Sequence, residues 1–159
     1  MKRLFVMLSA LALVGCVDST GPNGTPSDPL NETFATSLGI DLKNDPAWHQ
    51  LSIGVFYKDE VVGDGPSMVL NSGADSVYVD YTGYLKDGTT FDSGTAVGFQ
   101  VGRLISGFVY SMVDMHVGGT RYVVIPSDYG FGNARVNEIP PNSTLIFRIR
   151  LNSFVNTGT

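Results

Sequence analysis

Tyr81, Phe91 and Asp92 put a phenol, an apolar ring and a carboxylate into one short stretch, "YTGYLKDGTTFDSG". Two kinds of chemistry are open to it. Taken alone, Asp92 before Ser93-Gly94 reads as an Asx turn at a strand end, and Phe91, Phe99 and Phe147 read as plain core. The other reading makes Phe91 the wall of a binding site and Asp92 a polar group at its rim. Residues for other chemistries are scarce. Cys16 is the only cysteine, and His49 and His116 lie far apart with no HExxH-like spacing. Thiolate catalysis, zinc ligation and a Ser-His-Asp arrangement therefore have little to build on, and neither cofactor nor metal is expected. "DYGFGNAR" is rich in glycine but lacks the lysine and following helix of a phosphate cradle. The formal net charge is -5 and no Lys/Arg cluster occurs, which argues against a nucleic-acid partner.

The elements that must position these residues are short and turn-rich. Hydrophobic residues make up 43% of the 159 and glycine contributes 19, so a core is affordable and long helices are few. "DSVYVDYTGYL" alternates, with Val77, Val79, Tyr81, Gly83 and Leu85 on one face and Tyr78, Asp80, Thr82 and Tyr84 on the other. Tyr81 thus points the way of two core valines. "TLIFRIRLNSF" assigns Leu145, Phe147, Ile149 and Leu151 to the core and Ile146, Arg148, Arg150 and Asn152 to solvent. "LSIGVFYKDEVVGDG" and "TRYVVIP" are strand-like, and Lys86-Asp87-Gly88 reads as a hairpin turn. The helix candidate is "ISGFVYSMVDMHVGG", where Ile105, Phe108, Val109, Met112 and Val113 fall at helical spacing. Ser106 is expected to cap its start and Gly118-Gly119 to follow its end. An antiparallel sheet, wet on one face and wrapped around one helix, is an α+β domain.

The N-terminus reads as an address. Lys2 and Arg3 precede the apolar run "LFVMLSALALVG", too short to span a bilayer comfortably but suited to a signal-peptide core. Leu13-Val14-Gly15-Cys16 resembles a bacterial lipobox, which implies lipidation of Cys16 and a lipid anchor in the membrane. Aspartate is missing from the position after Cys16, and by the same resemblance this favours the outer membrane of a bacterial envelope. The expected divisions are a signal peptide over 1–15, a flexible tether over 16–33, a short N-terminal extension over 34–50 and a folded domain over 51–155. The tether is read from the Gly, Pro, Ser, Thr, Asn and Asp of "VDSTGPNGTPSDPLNET". "FATSLGIDL" is read as an extension packed on the domain.

Three segments in order carry a family likeness: "YTGYLKDGTTFDSG", "VGRLISGFVYSMVDMHVGGTRYVVIPSDYGFG" and "IPPNSTLIFRIRL". Their motifs and spacing resemble the FKBP-type peptidyl-prolyl cis-trans isomerases over nearly the whole domain, roughly Ser52 to Phe154. The resemblance implies a five- or six-stranded antiparallel sheet curled around one short helix, with a proline pocket between helix start and sheet. It implies catalytic roles for Tyr81, Phe91, Asp92, Ile105, Phe108, Phe131 and Phe147, and substrate contact by Val97, Phe99, Leu104 and Ile139. The Ile105 backbone N–H is the implied ligand donor. The implied partners are proline-containing polypeptides, and the short extension makes a monomer the expected state. An aromatic cup suits the task. Rotation about an Xaa-Pro bond faces a barrier of ~20 kcal/mol because it breaks amide resonance, and no proton transfer is needed to cross it. Drying the bond disfavours its polar planar form relative to the twisted one.

The chain departs from the family pattern at two rings. Phe108 stands where tryptophan is usual, and Phe131 where a tyrosine hydroxyl commonly bonds the ligand. The segment between Asp92 and Phe99 is short, so that Val97 replaces an aromatic. Macrolide inhibitors are expected to bind more weakly than to typical members. The alternative reading is a catalytically weak binding module or chaperone for proline-containing segments.

Overall fold

The computed structural model describes residues 25–70, 73 and 75–157. Cys16, the apolar run and the start of the tether lie outside these described residues.

Six strands among the described residues form one antiparallel sheet. They are β1 (His49–Gln50), β2 (Phe56–Val61), β3 (Ser76–Leu85), β4 (Thr90–Gln100), β5 (Thr120–Ile125) and β6 (Leu145–Val155), in the order β1-β2-β5-β6-β3-β4. The β3–β4 hairpin turns where the sequence places it. Gly88 takes φ +88°, a conformation costly for residues with a Cβ, and the Asp87 carboxylate accepts the Thr89 N–H at 2.9 Å. Among the same residues one α-helix, α1 (Ser106–Met112), crosses the inner face. The α+β arrangement of six strands around one helix is the one the family likeness implied.

The helix ends differ from expectation. Ile105, not Ser106, is the N-cap residue, and no side chain caps it. Its carbonyl receives the Phe108 and Val109 N–H groups instead. The helix stops at Met112, and Asp114 adopts φ +62°. Gly118-Gly119 therefore shapes the turn into β5 rather than the helix end, and the Gly119 N–H donates to the His116 carbonyl. The Arg121 guanidinium closes the helix's C-terminal end, donating to the Ser111 carbonyl at 2.7 Å and to the Val113 carbonyl at 3.2 Å. Those carbonyls would otherwise lack partners.

The core lies between α1 and the inner face, with Val77, Val79, Tyr81, Phe108, Phe147 and Ile149 all buried in it. β3 and the inner positions of β6 alternate as read from the sequence. The outer face corrects the reading. Ile146, assigned to solvent, is fully buried with Phe56 and Val124 beneath Leu30, Phe34, Leu38, Ile40, Leu42 and Trp48. The N-terminal extension covers this end of the sheet, whereas Arg148 and Arg150 stay exposed beyond it. Burying one such side chain stabilises by roughly 1.5–3 kcal/mol, which is why the alternation tolerates an isoleucine there. The packed segment also begins earlier than composition indicated. Ser27 hydrogen-bonds Ser127, and Pro29 is buried in a 3₁₀ turn over Pro29–Asn31. Ser27, Asp28 and Asn31 are held here by specific hydrogen bonds, which composition does not reveal.

Candidate active site

The Phe-Asp pair sits on a β-bulge. Across the β3–β4 ladder Gly83 faces Asp92 and the next residue, Tyr84, faces Thr90, so Phe91 is the extra residue on β4. A bulge re-aims side chains. Here it lets two consecutive residues face inward. The Phe91 ring meets Phe147 edge-on at 5.5 Å, and the Asp92 carboxylate lies under β3, where its Oδ2 accepts the Tyr81 hydroxyl at 2.7 Å. Its Oδ1 accepts the Ser93 N–H at 2.9 Å. β4 does not end in the expected Ser93-Gly94 turn. It runs on to Gln100 through a second bulge between Gly94 and Val97, where Ala96 takes φ +51° and its N–H donates to Asp80 Oδ1 at 2.7 Å.

The rings form a connected set. Tyr81 meets Phe99 at 5.6 Å and Phe108 at 6.4 Å, and Phe108 meets Phe147 at 5.1 Å. Interplanar angles from 61° to 89° make these edge-to-face contacts, the arrangement favoured by the ring quadrupole. α1 supplies Phe108 as the floor, with no exposed surface, and the residues leading into it supply Leu104 and Ile105. Ile139 is fully buried beside them, from the tight turn in which Val136 and Ile139 exchange backbone hydrogen bonds. Phe91, Val97 and Phe131 are half-buried and pack against this cluster from its edge. Of the eleven expected site residues of the domain, Tyr81, Phe91, Phe99, Phe108 and Phe147 are joined by ring contacts and Asp92 joins through Tyr81, while Val97, Leu104, Ile105, Phe131 and Ile139 pack in or against the same main core. Cys16 lies outside the described residues.

Two small residues that the sequence reading passed over make this convergence possible. A Cβ on Gly83 would stand 2.5 Å from the Phe91 ring and 2.9 Å from Phe147. A Cβ on Gly107 would stand 2.3 Å from Ile125 and 2.9 Å from the Tyr129 carbonyl, so glycine there lets α1 lie against β5. The available signal was a glycine at an inward strand position and another inside a helix, each a mark of close approach.

Chemically the arrangement is a largely buried aromatic cluster with one polar pair. Asp92 is 7% exposed and Tyr81 5%, and the Tyr81 proton lies toward Asp92. Tyr81 must leave that bond before it can donate to another group. Among the described residues no group of three or more His, Cys, Asp or Glu side chains could hold a metal ion.

Comparisons with known proteins agree with this geometry. A model of the FKBP-type peptidyl-prolyl cis-trans isomerase family matches residues 71–152. A peptidyl-prolyl cis-trans isomerase of Saccharomyces cerevisiae is 37% identical over 119 residues, covering 72% of this chain and 28% of the relative. The outer membrane protein MIP of Legionella longbeachae is 39% identical over 114 residues, covering 69% of this chain and 48% of the relative. The chain thus spans less than half the length of these curated relatives. The crystal structure of a peptidyl-prolyl cis-trans isomerase from Pseudomonas syringae superposes with a TM-score of 0.65 at 30% identity, covering 72% of this chain and 85% of that one.

Proposed function

The chain belongs to the FKBP-type peptidyl-prolyl cis-trans isomerase family, and we propose that its aromatic cluster accelerates rotation about Xaa-Pro bonds. What carries the reading is the convergence of five aromatic rings with a single buried polar pair, Tyr81 and Asp92. In this reading Phe91, Val97, Phe99 and Phe131 hold the pyrrolidine ring, over a floor of Phe108 and Phe147. Leu104 and Ile139 close the sides, and the Ile105 N–H receives a substrate carbonyl. Desolvation favours the twisted amide over the planar one, and Asp92 offers its remaining acceptor sites to the twisted bond's surroundings. No proton changes hands. A coupled assay on Xaa-Pro tetrapeptides tests this: kcat/KM well above the buffer rate is expected, and a rate equal to buffer from folded protein ends the claim.

The clients proposed are proline-containing segments of unfolded or slowly folding envelope proteins, reached by a monomer anchored through lipid on Cys16. The lipobox-like Leu13-Val14-Gly15-Cys16 supports the anchor, and a similar protein named for the outer membrane supports the envelope. Mass spectrometry of the membrane fraction tests the lipid, and a Cys16→Ala variant that stays equally membrane-bound argues against it. A second reading, a weak binding module, is favoured by the absence of polar groups at Phe108 and Phe131. An Asp92→Ala variant separates the two. It slows isomerisation if the cup is an enzyme, and leaves suppression of client aggregation intact if the fold acts by holding. Phe131→Tyr restores a hydroxyl at the cup's edge and is expected to tighten macrolide binding by up to about tenfold, the value of one hydrogen bond, in calorimetry.

A further inference from the structure

Ser127 is fully buried and is the hub of the turn that presents Phe131. Its carbonyl accepts the Gly130 N–H and the Gly132 N–H, each at 2.9 Å, on either side of Phe131. Its own N–H has no partner within that turn. It donates instead to the Ser27 hydroxyl at 2.6 Å, and the Ser27 N–H donates back to the Ser127 hydroxyl at 2.9 Å. The two serines are thus joined by reciprocal bonds across 100 residues of chain. Ser27 is itself held in place. The next residue, Asp28, caps the turn over Pro29–Asn31, its carboxylate accepting the Leu30 N–H at 3.2 Å and the Asn31 side-chain amide at 2.6 Å. Farther along, the Ala35 N–H donates to the Lys86 carbonyl at 2.8 Å, and Leu30, Phe34 and Leu38 are packed on the outer face. The N-terminal segment is therefore a fixed support rather than a free end.

We propose that Ser27 is a positioning residue for the isomerase site: its hydroxyl sets the turn that holds Phe131 against the cup. The assignment rests on the isomerase reading for its functional consequence, but its structural half stands alone. Without the hydroxyl, a buried N–H loses its acceptor, and a buried unpaired donor is costly. The turn then gains by opening toward water, and the two glycine bonds to Ser127 open with it. Phe131 touches substrate in ground and transition states alike, so its displacement weakens binding more than turnover.

The test uses the full chain with Ser27→Ala, Ser27→Thr, Phe131→Ala and the double variant Ser27→Ala/Phe131→Ala. Amide hydrogen exchange at Gly130 and Gly132 is expected to quicken about tenfold in Ser27→Ala and to return toward wild type in Ser27→Thr, which keeps the hydroxyl. Exchange within the β3–β6 ladder stays unchanged, which separates this effect from a general loss of stability. In the peptide assay, KM rises roughly three- to tenfold with kcat held, and Ser27→Ala adds no further loss to Phe131→Ala in the double variant. Unchanged exchange at Gly130 and Gly132 overturns the inference. So does full additivity of the two substitutions in kcat/KM. If the wild-type chain does not turn over peptide, the functional reading falls, and the exchange result alone decides whether Ser27 sets the turn.

Discussion

Two carboxylates flank α1 and do opposite things. Asp59 grips Arg121 with both oxygens, at 2.7 Å and 3.0 Å, and Arg121 in turn holds the carbonyls of Ser111 and Val113 and lies 4.2 Å from the centre of the Tyr57 ring. That end of the helix is bound by charge and by a fork of fixed geometry. Among the described residues, Asp92 meets the Tyr81 hydroxyl and the Ser93 N–H. Its partner is neutral, its surroundings are rings, and two of its roughly four acceptor sites are taken. The first carboxylate locks the helix to the sheet. The second keeps capacity in reserve where the helix floor faces the cup. The C-terminal end of α1 is tied by charge, and its Phe108 end meets the Tyr81 ring that Asp92 holds.

Breaking the lock is expected to give the largest effect. Arg121→Ala strands Asp59 and the last carbonyls of α1, and should cost about 3 kcal/mol, with Asp59's partial exposure keeping the loss at the low end for a broken pair. Urea midpoints measure it, and kcat/KM per folded molecule should hold; a drop in kcat/KM without loss of stability would undo the comparison. Gly83→Ala intrudes on the Phe91–Phe147 pair and should cost ~1–3 kcal/mol through overpacking, while lowering kcat/KM because Phe91 must move. Tyr81→Phe removes the hydroxyl's charge-assisted bond to the Asp92 carboxylate, worth roughly 1.5–3 kcal/mol. That variant should change kcat/KM more than its midpoint predicts, the reverse of Arg121→Ala. The smallest effect concerns Asp80, which pins the second bulge. The Ala96 N–H, and then the Asn152 side chain, hold its carboxyl below the usual carboxylate range. Because the folded value is the lower one, this contribution is complete above the ordinary range and fades as pH falls through the folded value. Between about pH 5 and about pH 3, Asp80→Asn should therefore lose less stability than wild type.

Much of this was legible in the residues. Period-two patterning in β3 and β6 placed Tyr81 and Phe147 on one face, and the spacing of Phe108 and Met112 placed the helix. Motif order then joined them into one candidate site. What could not be read was how neighbours override local pattern. Ile146 looked solvated because nothing in "TLIFRIRLNSF" announces that Phe34 and Trp48 will cover it. Ser106 looked like a cap because serine often is, but the chain enters the helix one residue earlier in extended form. Ser27 looked like linker because composition carries no trace of a single buried partner.

The two bulges in β4 have a consequence best put as a reading frame. Strict alternation through Phe91, Val97 and Phe99 keeps all three on the inner side, and would send Asp92 out. The bulge at Phe91 shifts the frame by one, Asp92 and Gly94 are read inward, and the bulge before Val97 shifts it back. The carboxylate faces the cup only inside this short out-of-frame window. Flattening either bulge alone, with no residue removed, would leave the rest of the strand out of phase with β3. Erasing both would restore the ladder and the three apolar side chains, and leave a well-paired strand with its one inward charge turned to solvent.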